Sequence, residues 1–272
     1  MTWSLTRLLP PGLFIRLKAT KTIRRAFYMR GFDQFDPGEL NRNIYVFWDS
    51  GIENAPEICR YCVDSWRILN PDWQVITLDK DSANEVVDRS GLPEGFQTAH
   101  YADVLRTRLL NKFGGVWIDA TLLCREPLDD WLTMMFNQTG FFAFSNPGRD
   151  RLISNWFLAA TAGSELISGW DDAVDAYWKK RKSLSPAYFW HHYLFDHMVR
   201  SSKEKQEAWR HVPHLSAVPL HVVQRKMQEG ALTDKEARIV RTTPVQKLTY
   251  KYGTSKQELI GMLGDLLDER LL

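Results

Sequence analysis

The sequence has no apolar run near the roughly 20 residues that span a bilayer. It also has no second Cys-x-x-Cys to complete a zinc site around the one it contains. Its 272 residues include only three cysteines, Cys59, Cys62 and Cys124, an odd number that argues against a disulfide framework and for a reduced, cytoplasmic setting. Internal repeats and low-complexity linkers are lacking, which leaves one large domain with attached segments as the simplest organisation. Acidic residues are absent from positions 1–30, where seven Lys or Arg stand. The remaining 28 basic residues are outnumbered by 33 acids, so the net charge of +2 hides a local basic arm. No basic stripe with interleaved aromatics continues beyond that arm, and nucleic acid is not expected as a partner. The arm suits an anionic membrane surface, Leu and Phe inward and Lys and Arg toward headgroups, and equally well a solvated tail. Its "LLPPGLFI" is interrupted by two prolines, short, and too little charged before it to be expected as a signal peptide.

What is present is a core. Hydrophobic residues make up 44% and aromatics 12% of the chain, enough to bury a full domain interior. "NIYVFWDSG" (43–51) reads as a buried strand ending in a turn. A helix follows from 56 to 69, closed by Asn70 and Pro71, and "QVITLD" (74–79) is a second strand. Strand, helix and strand within about 35 residues make a βαβ unit with a parallel pair. Cys59, Cys62, Val63 and Trp66 share one face of that helix, so core packing is the expected use of the Cys-x-x-Cys. Further helices are expected at 82–89, 97–113, 156–162, 164–181 and 188–199, further strands from 116 and at 140–146, and a weaker strand near "SAVPLHVV". An amphipathic helix is expected from 256 to 272. The pattern is that of one α/β domain.

Within it, "HYADVLRTRLLNKFGGVWIDATLLC" (100–124) carries more charge than packing requires. At 100° per residue, His100, Asp103, Arg106 and Thr107 occupy one arc of a helix, and Tyr101, Val104, Leu105 and Leu109 another that looks packed. After the Gly pair, alternation along the strand puts Trp117, Asp119 and Thr121 on one side. Asp119 stands at the strand's carboxyl end, where open α/β sheets hold ligands. A carboxylate beside a hydroxyl can hold a hard divalent cation; the same Asp can merely cap a turn, and Asp103 with Arg106 can be a surface ion pair. His191, His192 and His197 do not have the i,i+4 spacing of a helical zinc pair.

This run resembles the signature of D-x-D-type sugar transferases related to the capsular polysaccharide synthesis family, to α-mannosyltransferases and to toxin glucosyltransferases. In these a (S/A)DxLR helix precedes a Gly pair and a D-x-D strand. "VFWDSGIENAPEICRYCVDSWRILNPDWQVITLD" resembles the family's first βαβ unit, and "YFWHHYLF" and "PVQKLTYK" its later segments, giving a transferase domain over 43–252. Residues 1–42 and 253–272 lie outside it. The resemblance implies a Rossmann-like fold of the GT-A type, with a mixed, mostly parallel central sheet flanked by helices. It further implies a nucleotide-diphosphate sugar as donor, Mn²⁺ or Mg²⁺ as cofactor, and a retaining transfer to a glycan or lipid-linked glycan.

By the same resemblance, Asp119 would ligate the metal with Thr121 and Gln246, and Asp103 and Arg106 would hydrogen-bond the donor sugar. Trp48 would lie near the nucleobase, and Lys247 and Lys251 would face the diphosphate. His192 would stand on the acceptor or sugar side, and Ser145 and Asn146, at the end of the strand over 140–146, are expected at the same cleft edge by their position. Two positions depart from the pattern: Thr121 replaces the second Asp of D-x-D, and Gln246 stands where related sequences often have His. The function expected is a metal-dependent glycosyltransferase acting from UDP onto a capsular or lipopolysaccharide chain, in the cytoplasm or at the inner face of the cell membrane. The alternative is a non-catalytic nucleotide-sugar or glycan-binding protein with a decayed metal site.

Overall fold

The computed structural model describes residues 40–93, 95–136, 139–179, 181, 183 and 187–272. The basic arm therefore lies outside the described residues, save for its last few positions.

β1 (Asn43–Phe47) is buried from Ile44 onward. α1 (Glu57–Leu69) follows Pro56 and stops at Asn70, whose backbone N–H still bonds Trp66 O. Its apolar face carries Cys59, Cys62, Val63 and Trp66, each fully shielded from solvent. β2 (Gln74–Leu78) then pairs parallel with β1. The short α2 (Lys80–Asn84) begins with a reciprocal cap between Asp79 and Ser82, which draws its start forward of the expected 82; 85–88 lie outside the helix and a 3₁₀ turn follows at Arg89–Gly91. α3 (Thr98–Phe113) is as long as its period suggests.

Gly114 and Gly115, with φ of 67° and 105°, end α3 and turn the chain into β3 (Gly115–Ile118). A Cβ on Gly115 would lie 2.6 Å from Asn43 O, so glycine is required where the chain passes the start of β1. β4 (Leu122–Cys124), α4 (Leu128–Met135), β5 (Phe141–Gly148) and β6 (Arg151–Ala160) follow. Next come α5 (Glu165–Lys179), α6 (Trp190–Arg200), α7 (Lys203–His211), α8 (Val222–Lys226) and α9 (Asp234–Arg241). The last elements are β7 (Val245–Lys247) and α10 (Lys256–Leu263).

The main sheet runs in the order β2-β1-β3-β6-β5. β1 is parallel to β2 and to β3, whereas β6 is antiparallel to β3 and β5, so a parallel half and an antiparallel half meet at β3. Helices cover both faces. On one, Trp117 and Leu158 of the sheet pack in a cluster with residues of α3, α5, α6 and α7. On the other, Phe157 packs between Trp66 of α1 and Trp131 of α4, at ring distances of 6.1 and 5.3 Å.

Three elements differ from expectation. Residues 156–160 are the end of β6 rather than a helix. This end of the strand is buried on both sides and reads as an unbroken apolar run, WFLAA, a pattern that periodicity cannot assign. The "SAVPLHVV" stretch forms a 3₁₀ turn (Val218–His221) leading into α8, not a strand. The C-terminal helix stops at Leu263 because Gly264 takes φ 49°, and two 3₁₀ turns continue to the end.

Candidate active site

In an open α/β sheet, a crevice opens at the carboxyl ends of neighbouring strands whose connections leave in opposite directions. Here that point lies between β1, which is followed by its neighbour β2 on one side, and β3 on the other. Trp48 extends β1 and Asp119 extends β3. Trp48 stays in line through its backbone N–H, which bonds Leu78 O at 2.9 Å. Its ring meets Tyr250 edge-on at 5.5 Å. Asp119 is fixed by its own N–H on Trp156 O and by a tight turn in which Leu122 N–H returns to Asp119 O, both at 2.9 Å.

A strand from the far end of the chain closes this turn. β7 pairs antiparallel with β4, Leu122 opposite Lys247 and Leu123 opposite Gln246. Neighbours on a strand face opposite ways, so only one of Gln246 and Lys247 can reach the crevice. It is Lys247: its Nζ donates to Asp119 Oδ2 at 3.0 Å and also bonds the Thr121 hydroxyl. Gln246 is fully buried on the other side. Its Oε1 accepts from Val223 N–H at 3.2 Å and its Nε2 donates to Thr243 Oγ1 at 2.7 Å.

The polar arc of α3 arrives beneath. Arg106 Nη2 lies 3.4 Å from Asp103 Oδ1 and 3.4 Å from Asp119 Oδ1, one guanidinium between two carboxylates. Arg106 Nε donates to Ala102 O at 3.0 Å and Nη1 to Asn155 O at 2.6 Å. With its side chain only 6% exposed, Arg106 uses its donors inside the protein and sets the positions of both acids. Asn155, on β6, donates through Nδ2 to Asp103 Oδ1 at 2.8 Å and bonds His191 Nδ1 at 3.0 Å. The His191 ring stacks on Trp170 at 4.1 Å.

Burial and charge set the protonation. Desolvation raises the Asp103 carboxyl to about 7, against the pull of Arg106, and the charge of Asp119 adds to the rise. Asp119 is also raised by burial, but Lys247 and Arg106 outweigh that and hold it below the ordinary carboxylate value. Burial, with Arg106 nearby, keeps His191 neutral and pushes His192 down to about 3. Both imidazoles are therefore uncharged near neutrality.

The structure thus brings Asp103, Arg106, Asp119, Thr121 and Lys247 together, with Trp48 at the neighbouring strand end. Lys251 is exposed, one residue beyond the Tyr250 that meets Trp48. His192 is buried near the same charges, and its Nδ1 has no partner among the described residues. Ser145 stands apart: its N–H and C=O bond Leu215 O and Ala217 N–H, and its hydroxyl meets His214 Nδ1 at 3.2 Å, so it fastens β5 to the segment beside it. Asn146 is exposed, with a left-handed φ of 52°.

Asn155 and His191 join this cluster through Asp103, although the sequence reading gives Asn155 no place and considers His191 only as a zinc ligand. The signal was present, a polar side chain in the apolar run of β6, but it can be used only once that run is known to be a strand.

Among the described residues no group of three or more His, Cys, Asp or Glu converges as a metal site needs. Asp119 Oδ1 already receives Trp117 Nε1 at 3.2 Å and faces Arg106, while Oδ2 receives Lys247. Gln246, expected as a ligand, is turned away by the register of β7. Octahedral Mg²⁺ takes about six oxygens at roughly 2.1 Å, and Mn²⁺ prefers the same oxygen-rich surroundings. This donor set does not fit such a cation.

The profile of the family described as "Capsular polysaccharide synthesis protein" matches residues 15–263. The probable glycosyltransferase FCK3 of Fusarium pseudograminearum is 31% identical over 166 residues, 55% of this chain and 42% of that protein. The O-glycosyltransferase braB of Annulohypoxylon truncatum is 30% identical over 164 residues, 52% and 39% of the two chains. The chain thus spans about two-fifths of the length of the curated relatives it matches. Among solved structures, the PaToxG glycosyltransferase aligns with 72% of this chain and 83% of its own, at 12% identity and a TM-score of 0.44.

Proposed function

The chain belongs to the capsular polysaccharide synthesis protein family, and from that premise we propose that it is a glycosyltransferase of the GT-A type. It moves a sugar, with retention, from a nucleotide diphosphate, taken as UDP, to a hydroxyl of a polysaccharide or lipopolysaccharide chain. FCK3 is named a probable glycosyltransferase and braB an O-glycosyltransferase. That name agrees with an oxygen acceptor. The basic arm would hold the protein near an anionic membrane on the cytoplasmic side.

One observation carries the reading. At the switch point of the sheet, an aromatic side chain just past the end of β1 and an ionised carboxylate just past the end of its neighbour β3 stand at the same edge, and a lysine from a distant strand reaches that carboxylate. In this reading the Trp48–Tyr250 corner takes the base, Lys247 and Lys251 take the diphosphate, and Asp103 meets the sugar hydroxyls. Arg106 and Asn155 hold Asp103 in place. Oriented binding of donor and acceptor supplies the rate by proximity, and fixed charge supplies it by stabilising the leaving group. The expected Mn²⁺ or Mg²⁺ has no part in the reading, because the donor set does not fit it.

A panel of nucleotide sugars, assayed for nucleoside diphosphate release, tests it. At least one donor is expected to turn over. Asp119→Asn is expected to lower that turnover by about 10²–10³, the usual effect of losing one preorganised electrostatic group. Turnover of none would sink the enzyme reading, and full turnover by Asp119→Asn would remove that residue from it.

A further inference from the structure

The negative charge of Asp119 at the end of β3 is already met by cations of the protein. Two carboxylates, Asp103 and Asp119, face two cations, Arg106 and Lys247, and each contact is 3.4 Å or closer. Arg106 is locked by backbone carbonyls, but Lys247 is not: its side chain reaches the site from β7 and remains 15% exposed. An ammonium has three N–H donors. Asp119 and Thr121 take two, which leaves one for a ligand. The two protein groups that hold the ammonium, a carboxylate and a hydroxyl at the end of β3, are those the sequence assigns to a divalent cation. A lysine in this position puts a point positive charge where a metal would put two.

We propose that Lys247 is the built-in cation of this site and that donor binding and sugar transfer proceed without a divalent metal. The proposal rests on the transferase reading above and deepens it. In the step it implies, the bond between the sugar's anomeric carbon and the diphosphate oxygen breaks with its electron pair going to that oxygen. The acceptor hydroxyl oxygen forms the new bond to the anomeric carbon, and its proton passes to the departing diphosphate. Lys247 meets the negative charge that develops on the leaving oxygen. Thr121 fits this scheme as Asp would not, since a second carboxylate beside Asp119 would hold the ammonium with more charge and offer less of it to the ligand.

The test is calorimetric binding of a panel of nucleoside diphosphates (UDP, GDP, ADP and dTDP) to the full chain, in EDTA and in excess Mn²⁺. Paramagnetic resonance of Mn²⁺ titrated against the protein alone gives a second readout. At least one diphosphate is expected to bind in EDTA with an affinity within about twofold of that in Mn²⁺, and the protein is expected to leave the free Mn²⁺ signal unchanged. Lys247→Met should weaken binding in EDTA by at least about tenfold, the effect of one lost charge-assisted hydrogen bond, while Lys247→Arg should keep most of it. Thermal melts identify any variant that fails to fold, and the Arg variant then carries the comparison. Binding that requires Mn²⁺ would overturn the proposal and leave the transferase reading standing. So would a folded Lys247→Met that binds in EDTA as the wild type does. If no diphosphate binds under either condition, the nucleotide-sugar reading falls too.

Discussion

Asp103 and Asp119 share one guanidinium, yet their carboxyls shift in opposite directions. Asp103, buried under α6 with a neutral His191 beyond Asn155, rises from 3.8 to about 7. Asp119, more open and beside Lys247, falls below 3.8. The consequences for stability have opposite signs. Between about pH 4 and 7 the native Asp103 holds a proton that the unfolded one has lost, so stability falls as pH rises through that window. Asp119 contributes stability above its unfolded value, lost only as pH falls through its lower native one. Thermal unfolding of Asp103→Asn at several pH values checks this. The variant's midpoint should gain on the wild type's steadily from pH 4 to 7 and hold constant above, and parallel curves would refute it. Helical phase puts Asp103 and Arg106 on one arc and strand patterning puts Asp119 at the strand's end, because both are local rules; it is the resemblance that joins the three into one expected site. Asn155 and His191 were not legible as part of it, because their meeting depends on β6 and α6 packing against α3. Nor could the sequence decide between Gln246 and Lys247, which only the register of β7 on β4 separates.

At the scale of elements, the Gly114-Gly115 pair converts the polar arc of α3 into the strand that carries Asp119. Both residues have positive φ, and a Cβ on Gly115 would collide with Asn43 O at 2.6 Å. Gly163 also has positive φ, but nothing lies within 4 Å of its added Cβ. The two positions therefore separate backbone strain from collision. Gly163→Ala should cost only the left-handed strain, about 1–2 kcal/mol. Gly115→Ala must also move β1 away from β3 and should cost clearly more, measured by urea unfolding of both variants. Equal costs would show that the start of β1 yields easily. The pair was readable as a helix stop, and so was the first βαβ unit, since turn residues bound both. The end of β6 was not, because an apolar strand in the middle of a sheet and a buried helix look alike in one dimension.

At the scale of the whole molecule, the last residues belong to the body that holds the site. Leu259, Leu263, Leu266, Leu267 and Leu271 are all buried. Tyr61 Oη of α1 donates to Leu271 O at 3.0 Å, and Lys256 N–H to Glu57 Oε2 at 3.1 Å. Arg125, directly after β4, donates to Leu266 O at 3.0 Å and to Thr243 O at 2.6 Å. It thereby ties the C-terminal turns and the start of β7 to the strand that follows Asp119 and Thr121. The sequence resemblance places 253–272 outside the transferase domain, whereas the family match runs on to residue 263; the part of this segment in the structure is packing. Five buried leucines at about 1.5–3 kcal/mol each amount to something on the order of 10 kcal/mol, comparable to the whole stability of an ordinary domain. Deletion of residues 256–272 is therefore expected to abolish cooperative unfolding, whereas Leu263→Ala should keep it at a cost of about 2–5 kcal/mol. Circular dichroism melts of both decide the matter. A truncated chain that still melts cooperatively within a few degrees of the full one would make the segment an appendage. If only the point variant melts cooperatively, the geometry of Asp119 and Lys247 depends on a part of the chain that touches neither.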